Sequence, residues 1–172
     1  AYTTSNSIAS ATVTKGTGGA GGANGLFGSG TTGITASAIS GATTEAGGTA
    51  TFTVVLSSAP SATVEIPVSS SDLTEGTVNT TTLSFSTTDW NIARTVTVTG
   101  VDDSLDDGDI SYAITLGAVS STDGNYDGLN PDDVSVSNTD NDTAGFTVSA
   151  ISGNTSEAGG TATFTVVLNS QP

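Results

Sequence analysis

Apolar and polar residues alternate along most of this chain. Over residues 49–57, Phe52, Val54 and Leu56 fall on every second position, with other residues, mostly threonine, between them. The same period of two recurs over residues 63–69 (Val64, Ile66, Val68), 94–101 (Val96 and Val98 against Thr95, Thr97 and Thr99) and 111–116 (Tyr112, Ile114, Leu116). A period of two with one apolar side predicts strands that bury one face. Three more strands are predicted at residues 34–39, at 82–86 around Leu83 and Phe85, and at 134–138. No stretch shows the 3.6-residue period of an amphipathic helix, and none is apolar for long enough to span a bilayer. Seven short strands parted by polar turns predict an all-β fold, a seven-stranded immunoglobulin-like Greek-key β-sandwich. Trp90, just ahead of the fifth strand, is expected to cover one end of the core.

The pattern also repeats at longer range. Residues 33–60 read GITASAISGATTEAGGTATFTVVLSSAP, and residues 145–172 read GFTVSAISGNTSEAGGTATFTVVLNSQP. The copies are 112 residues apart and differ at six pairs: Ile34/Phe146, Ala36/Val148, Ala42/Asn154, Thr44/Ser156, Ser57/Asn169 and Ala59/Gln171. That spacing suits sandwich repeats in tandem. Three segments are expected: an N-terminal arm over 1–33, a complete sandwich over 34–144, and the first two strands of a second repeat over 145–172. Two strands alone are marginal. The second repeat is therefore expected to be completed by further chain or by another subunit. Within the arm, residues 7–14 (SIASATVT) predict one strand. Residues 15–33 are Gly-rich and linker-like, with Leu26 and Phe27 their only large apolar anchors.

Charge narrows the chemistry. Seventeen acids face only two cations, Lys15 and Arg94, for a net charge of −15. That excludes nucleic acid and anionic membranes as partners and favours divalent cations. The chain has no Cys and no His, so disulfides, zinc, copper and haem are not expected. Oxygen ligands are abundant and suit calcium. The usual nucleophile–base pairs are absent, so the chain is not expected to be an enzyme. A start at Ala1-Tyr2 without Met fits a processed, secreted protein.

The acids are clustered. Residues 101–109 read VDDSLDDGD, five carboxylates in nine positions. In a sandwich whose consecutive strands reverse direction, the loops after the first, third and fifth strands share one end with the finish of the seventh. Those four places hold Glu45, Asp72 with Glu75, Asp102 to Asp109, and Asp140-Asn141-Asp142. Acids far apart in sequence are thus predicted to meet at one pole, without Lys or Arg nearby. Such a group needs either free solvation or a shared cation. Convergence from four loops favours the cation.

At these residues the chain resembles the Calx-beta family, a calcium-binding sandwich found in sodium–calcium exchangers, integrin β4 and many bacterial surface proteins. The resemblance spans residues 34–144, and 145–172 resemble the start of a second copy. It rests on Glu45 within Thr44-Glu45-Ala46-Gly47-Gly48, on Val101-Asp102-Asp103 with Asp107, and on Asp140-Asn141-Asp142 ahead of Gly145. It implies that Glu45, Asp102, Asp103, Asp107, Asp140 and Asp142 ligate calcium, and Asp72 and Glu75 are added as weaker candidates. Asp106 and Asp109 are expected to face solvent or to act secondarily.

A second acidic loop, DGNYDG at residues 123–128, places Asp123, Asn125 and Asp127 at alternate positions and ends on Gly128, as an EF-hand loop begins. Position twelve is Val134 rather than Glu and no helices flank it, which excludes an EF-hand and leaves a smaller calcium loop. It belongs to the opposite pole. The function expected from all this is a calcium-stabilised structural or adhesive module of an extracellular bacterial filament, matrix fibre or adhesin. It would self-associate as a homopolymer or pack on neighbouring repeats, with strand donation as one route. The alternative is a calcium-responsive regulatory or glycan-binding module of a larger secreted protein. The sequons at Asn79, Asn141 and Asn154 are read as chance in a Thr-rich chain.

Overall fold

The computed structural model describes residues 32–172. The arm strand over 7–14 and the anchors Leu26 and Phe27 lie outside the described residues. Among those described there are twelve strands and no helix. One sheet has the order β1 (Ile34–Ala36), β3 (Thr49–Leu56), β7 (Arg94–Gly100), β5 (Gly76–Val78). The other has the order β2 (Thr43–Thr44), β10 (Val134–Thr139), β8 (Ile110–Leu116), β4 (Val64–Ser70), β6 (Thr82–Phe85), with β9 (Ser120–Ser121) also on β4. One apolar cluster draws from both sheets, including Phe52, Val54, Val96 and Val98 from the first and Ile66, Phe85, Ile114 and Leu116 from the second. The molecule is therefore a β-sandwich. Burial strictly alternates along β4 and β6, as their sequences predict. Each fully buried Phe, Leu, Ile or Val contributes roughly 1.5–3 kcal/mol.

All seven predicted strands of the sandwich are present, with ends shifted by up to three residues. The largest shift is in β1, which stops at Ala36 instead of residue 39. There the hydroxyls of Ser37 and Ser40 accept the N–H groups of Thr53 and Thr51 in place of backbone carbonyls. Side-chain competition of this kind ends a ladder. Past it the chain crosses to the other sheet, where β2 pairs parallel with β10, Thr43 opposite Asn138. The opposite edge does the same. Its segment from β5 to β6 pairs first with β7 and then with β4. Both edges are thus bridged by a segment that changes sheet, which leaves less open edge for unwanted pairing. Strands β2, β5 and β9 have two or three residues each, too few to show a period.

The two ends of the sandwich differ. At one, Arg94 pairs with Asp89 at 2.6 Å and lies 5.3 Å from the Phe85 ring centroid. Trp90 packs against the core there, and its carbonyl accepts the Leu56 N–H. The loop with Tyr126 closes the same end. Tyr126 is 1% exposed, and its hydroxyl donates to the Ser58 carbonyl at 2.6 Å. The acidic pole is the other end.

Beyond the sandwich, β11 (Phe146–Val148) and β12 (Val166–Leu168) form an antiparallel pair. Phe146 faces Leu168 as Ile34 faces Leu56, each shifted by 112 residues. The Gly47 turn, at φ 80°, is matched at Gly159, at φ 86°.

Candidate metal centre

Four stretches carry the acids to the pole. Glu45 follows β2, and its N–H donates to the Thr139 carbonyl at the end of β10. Glu75 precedes β5, and its carbonyl accepts the Val101 N–H at the end of β7. Asp103 and Asp107 come from the loop between β7 and β8, and Asp140 and Asp142 follow β10. These six acids form two groups of three, Glu45 with Asp140 and Asp142, and Glu75 with Asp103 and Asp107. In each group one oxygen per residue lies within 4.8 Å of the others. Two oxygens on opposite sides of a calcium ion are about 5 Å apart, since each sits roughly 2.4 Å from it. Either group can hold a metal ion, and with no His or Cys in the chain the protein offers oxygen ligands only.

The electrostatics of both groups favour either protonation or a bound cation. Glu45 is 3% exposed and Glu75 is 6% exposed. The strongest influence on Glu45 is the Asn141 N–H, donating at 2.9 Å, which holds its pKa down. Burial and the charges of Asp140 and Asp103 outweigh it, and the carboxyl ends above its ordinary value. Burial raises Glu75, and Asp107, Asp72 and Asp103 add to the rise against a lowering hydrogen bond from Asn138. Burial and four neighbouring acids raise Asp142. Asp140 is lowered, first by the Asp142 N–H and then by the Gly108 N–H. Arg94, the cation among the described residues, sits at the far end of β7, roughly 20 Å away at about 3.3 Å per residue. Lys15 lies outside the described residues.

The remaining predicted residues fall outside both groups. Asp72 caps its own turn, accepting from the Thr74 N–H and hydroxyl. Asp102 is exposed and accepts from the Asn141 amide at 3.2 Å. Asp123 is buried, but its oxygens accept the Ser61 and Asn125 N–H groups, which lower its pKa. Asp127 accepts the Ser121 N–H, and Asn125 enters that turn through its backbone. The 123–128 loop is at the opposite pole, as expected, where it anchors Tyr126. Asp106 and Asp109 are exposed yet hold backbone. Asp106 accepts the Ala144 N–H and Asp109 accepts the Asp140 N–H. The Ser104 carbonyl accepts the Gln171 N–H, so the acidic loop also grips the C-terminal pair.

One residue of the site was not anticipated. Asn138 is 1% exposed, beside Glu75. Its amide donates to the Val101 carbonyl at 3.0 Å and to Glu75 Oε2, and its Oδ1 accepts the Thr43 hydroxyl at 2.9 Å. Its signal was available: Val134, Val136 and Asn138 share the inward side of one strand, and a polar residue on a buried face needs partners. Gly100 lies against it, where a Cβ would collide with the Thr44 carbonyl and Asn138 Oδ1.

No family model matches this chain, and neither does any curated protein.

Proposed function

We propose that this chain is a calcium-stabilised structural or adhesive module of an extracellular bacterial filament, matrix fibre or adhesin, built from Calx-beta-like sandwiches in tandem and self-associating. The observation that carries the reading is the burial of Glu45 and Glu75, each inside a triad of carboxylates with no cation beside it among the described residues. Such groups favour protonation or a bound cation. Calcium is the proposed ion because it takes six to eight oxygens in adaptable geometry, which carboxylates, backbone carbonyls and water can supply. The parallel β2–β10 contact and the two sheet-changing edges support the immunoglobulin-like Greek-key topology. The matched registers at 112-residue spacing support the tandem repeat. Both triads lie at the pole from which residues 145–172 continue, which favours stiffening over chemistry.

The test is a thermal melt in chelator, calcium or magnesium. Calcium is expected to raise the melting temperature progressively with its concentration, by the equivalent of about 2.7 kcal/mol at a hundred times its dissociation constant. Magnesium is expected to do less, and Glu45→Gln and Glu75→Gln each to remove part of the shift. A melt indifferent to calcium overturns the reading. Imaging of native material with and without chelator tests the filament, and a large change of shape over micromolar calcium would favour the regulatory alternative.

A further inference from the structure

The two triads differ in how their glutamates are held. Glu45 Oε2 accepts the N–H of Asn141, which stands in sequence between Asp140 and Asp142. The group that steers Glu45 therefore belongs to the segment that carries the other two carboxylates. Asn141 is exposed, so that segment is free to move as a unit.

Glu75 is steered from the core instead. Its Oε2 accepts from the buried Asn138 amide, and the same amide donates to the Val101 carbonyl. The buried Thr43 hydroxyl donates to Asn138 Oδ1, and the Tyr112 hydroxyl meets that of Thr43 at 3.1 Å. With donors and acceptor both engaged, the Asn138 amide cannot turn over without losing its partners. The row Tyr112, Thr43, Asn138 and Glu75 thus runs from β8 through β2 and β10 to the residue before β5. Backbone closes it on two sides. A Cβ on Gly76 would collide with the Tyr112 hydroxyl, and one on Gly100 with Asn138 Oδ1.

This mounting bears on ion choice. Calcium accepts oxygens at about 2.4 Å in adaptable geometry, whereas magnesium demands near-octahedral oxygens at about 2.0–2.1 Å. The triad oxygens, within 4.8 Å of one another, already match the calcium span. To hold magnesium a triad must contract. The Glu45 triad can do so with its loop, but Glu75 cannot follow without breaking buried hydrogen bonds. Groups that orient a ligand from behind change metal affinity about 10–100-fold when removed.

We propose that Asn138, fixed by Thr43, is a positioning residue for Glu75 and makes the Glu75 triad the one that discriminates calcium from magnesium. This rests on the metal reading of the proposed function and deepens it, assigning the discrimination to one triad and to residues that touch no ion.

The test separates the triads in the full chain. Glu45→Gln leaves the Glu75 triad intact, Glu75→Gln leaves the Glu45 triad intact, and each variant is titrated calorimetrically with calcium and with magnesium. The calcium-to-magnesium affinity ratio is expected to be about tenfold or more higher for the Glu75 triad. This comparison leaves the buried row from Tyr112 to Asn138 untouched, and equal ratios overturn the proposal. Adding Thr43→Val, which keeps the shape and removes the hydroxyl, is expected to lower the ratio of the Glu75 triad about tenfold and to leave that of the Glu45 triad within about threefold. Thr43→Ser retains the hydroxyl and is expected to retain the ratio. A melting temperature that falls in Thr43→Val while both ratios hold, or ratios that fall equally, marks a merely structural role and overturns the proposal. Absence of calcium binding by the unsubstituted chain overturns the metal reading as well, whereas the other failures leave that reading standing.

Discussion

Asn138 reaches from β10 to Glu75, donating its buried amide to Oε2 at 3.4 Å. Its other bonds, to Val101 and Thr43, join three segments at the base of the acidic pole. Asn138→Ala strips a partner from each and leaves a void, so a loss of about 2–4 kcal/mol is expected. Asn138→Asp keeps the shape but adds a carboxylate beside Glu75. Its melting temperature should fall more in chelator than in calcium, and paired melts check both variants.

Ligand roles should divide along the two triads. Asp103→Asn, Asp107→Asn, Asp140→Asn and Asp142→Asn each remove a charge from a triad and are expected to weaken calcium binding about tenfold or more, since charge count tunes such sites. Asp72→Asn removes a charge from the Thr74 turn and should leave affinity within a few-fold. Calorimetric titration of the five variants reads the division directly, and equal effects would contradict it.

Tyr126→Phe isolates the opposite pole. It deletes the hydrogen bonds to Ser58 and leaves a half-buried carbonyl short of a partner, at a cost of about 1–2 kcal/mol. The variant should unfold at lower denaturant with an unaltered calcium shift, because Ser58 and the triads occupy different ends.

Acidity should act on the buried pair Glu45 and Glu75 and on Asp123 with opposite sign. Burial and neighbouring acids raise Glu75 above 4.5; Glu45 ends above 4.5 too, despite the lowering Asn141 N–H. The stability these groups contribute is complete below 4.5 and is lost as pH rises through their folded values. The Ser61 N–H holds Asp123 below 3.8, so its contribution is present above 3.8 and is lost as pH falls through its folded value. In chelator, the contribution of Glu45 and Glu75 to the melting temperature is expected to decline as pH rises from 4.5 toward neutrality. Saturating calcium should remove the alkaline decline, because the ion replaces the protons. A chelated protein that gains stability from pH 5 to pH 8 would contradict this.

Period and direction together made most of this structure legible. Six of the seven predicted strands have four residues or more, enough for alternation to show, and β1 has three. Strands β2 and β5 could not be read from alternation, because two or three residues carry no period and only their pairing with β10 and β7 defines them. The acidic pole was readable from strand parity, which fixes the end of the sandwich that each loop occupies. Parity does not fix side-chain direction. Asp72 turns back onto Thr74, Asp102 meets the Asn141 amide and Asp123 accepts backbone N–H groups at the opposite pole, so these three lie outside the two triads. Asn138 was hidden for the reverse reason. It looked like the polar end of a strand, and only its inward parity marks it as part of the site.

The parallel contact between β2 and β10 has a mechanical consequence. The chain comes into the sandwich at Gly33 and leaves through Asp140 at the other pole, so tension applied between these two points pulls these two strands in opposite directions. Parallel strands loaded in this way slide past one another, and their bonds must yield together instead of one at a time. Glu45 follows one strand of that clamp, and Asp140 and Asp142 follow the other. An ion between them would act as a rivet across the line of shear.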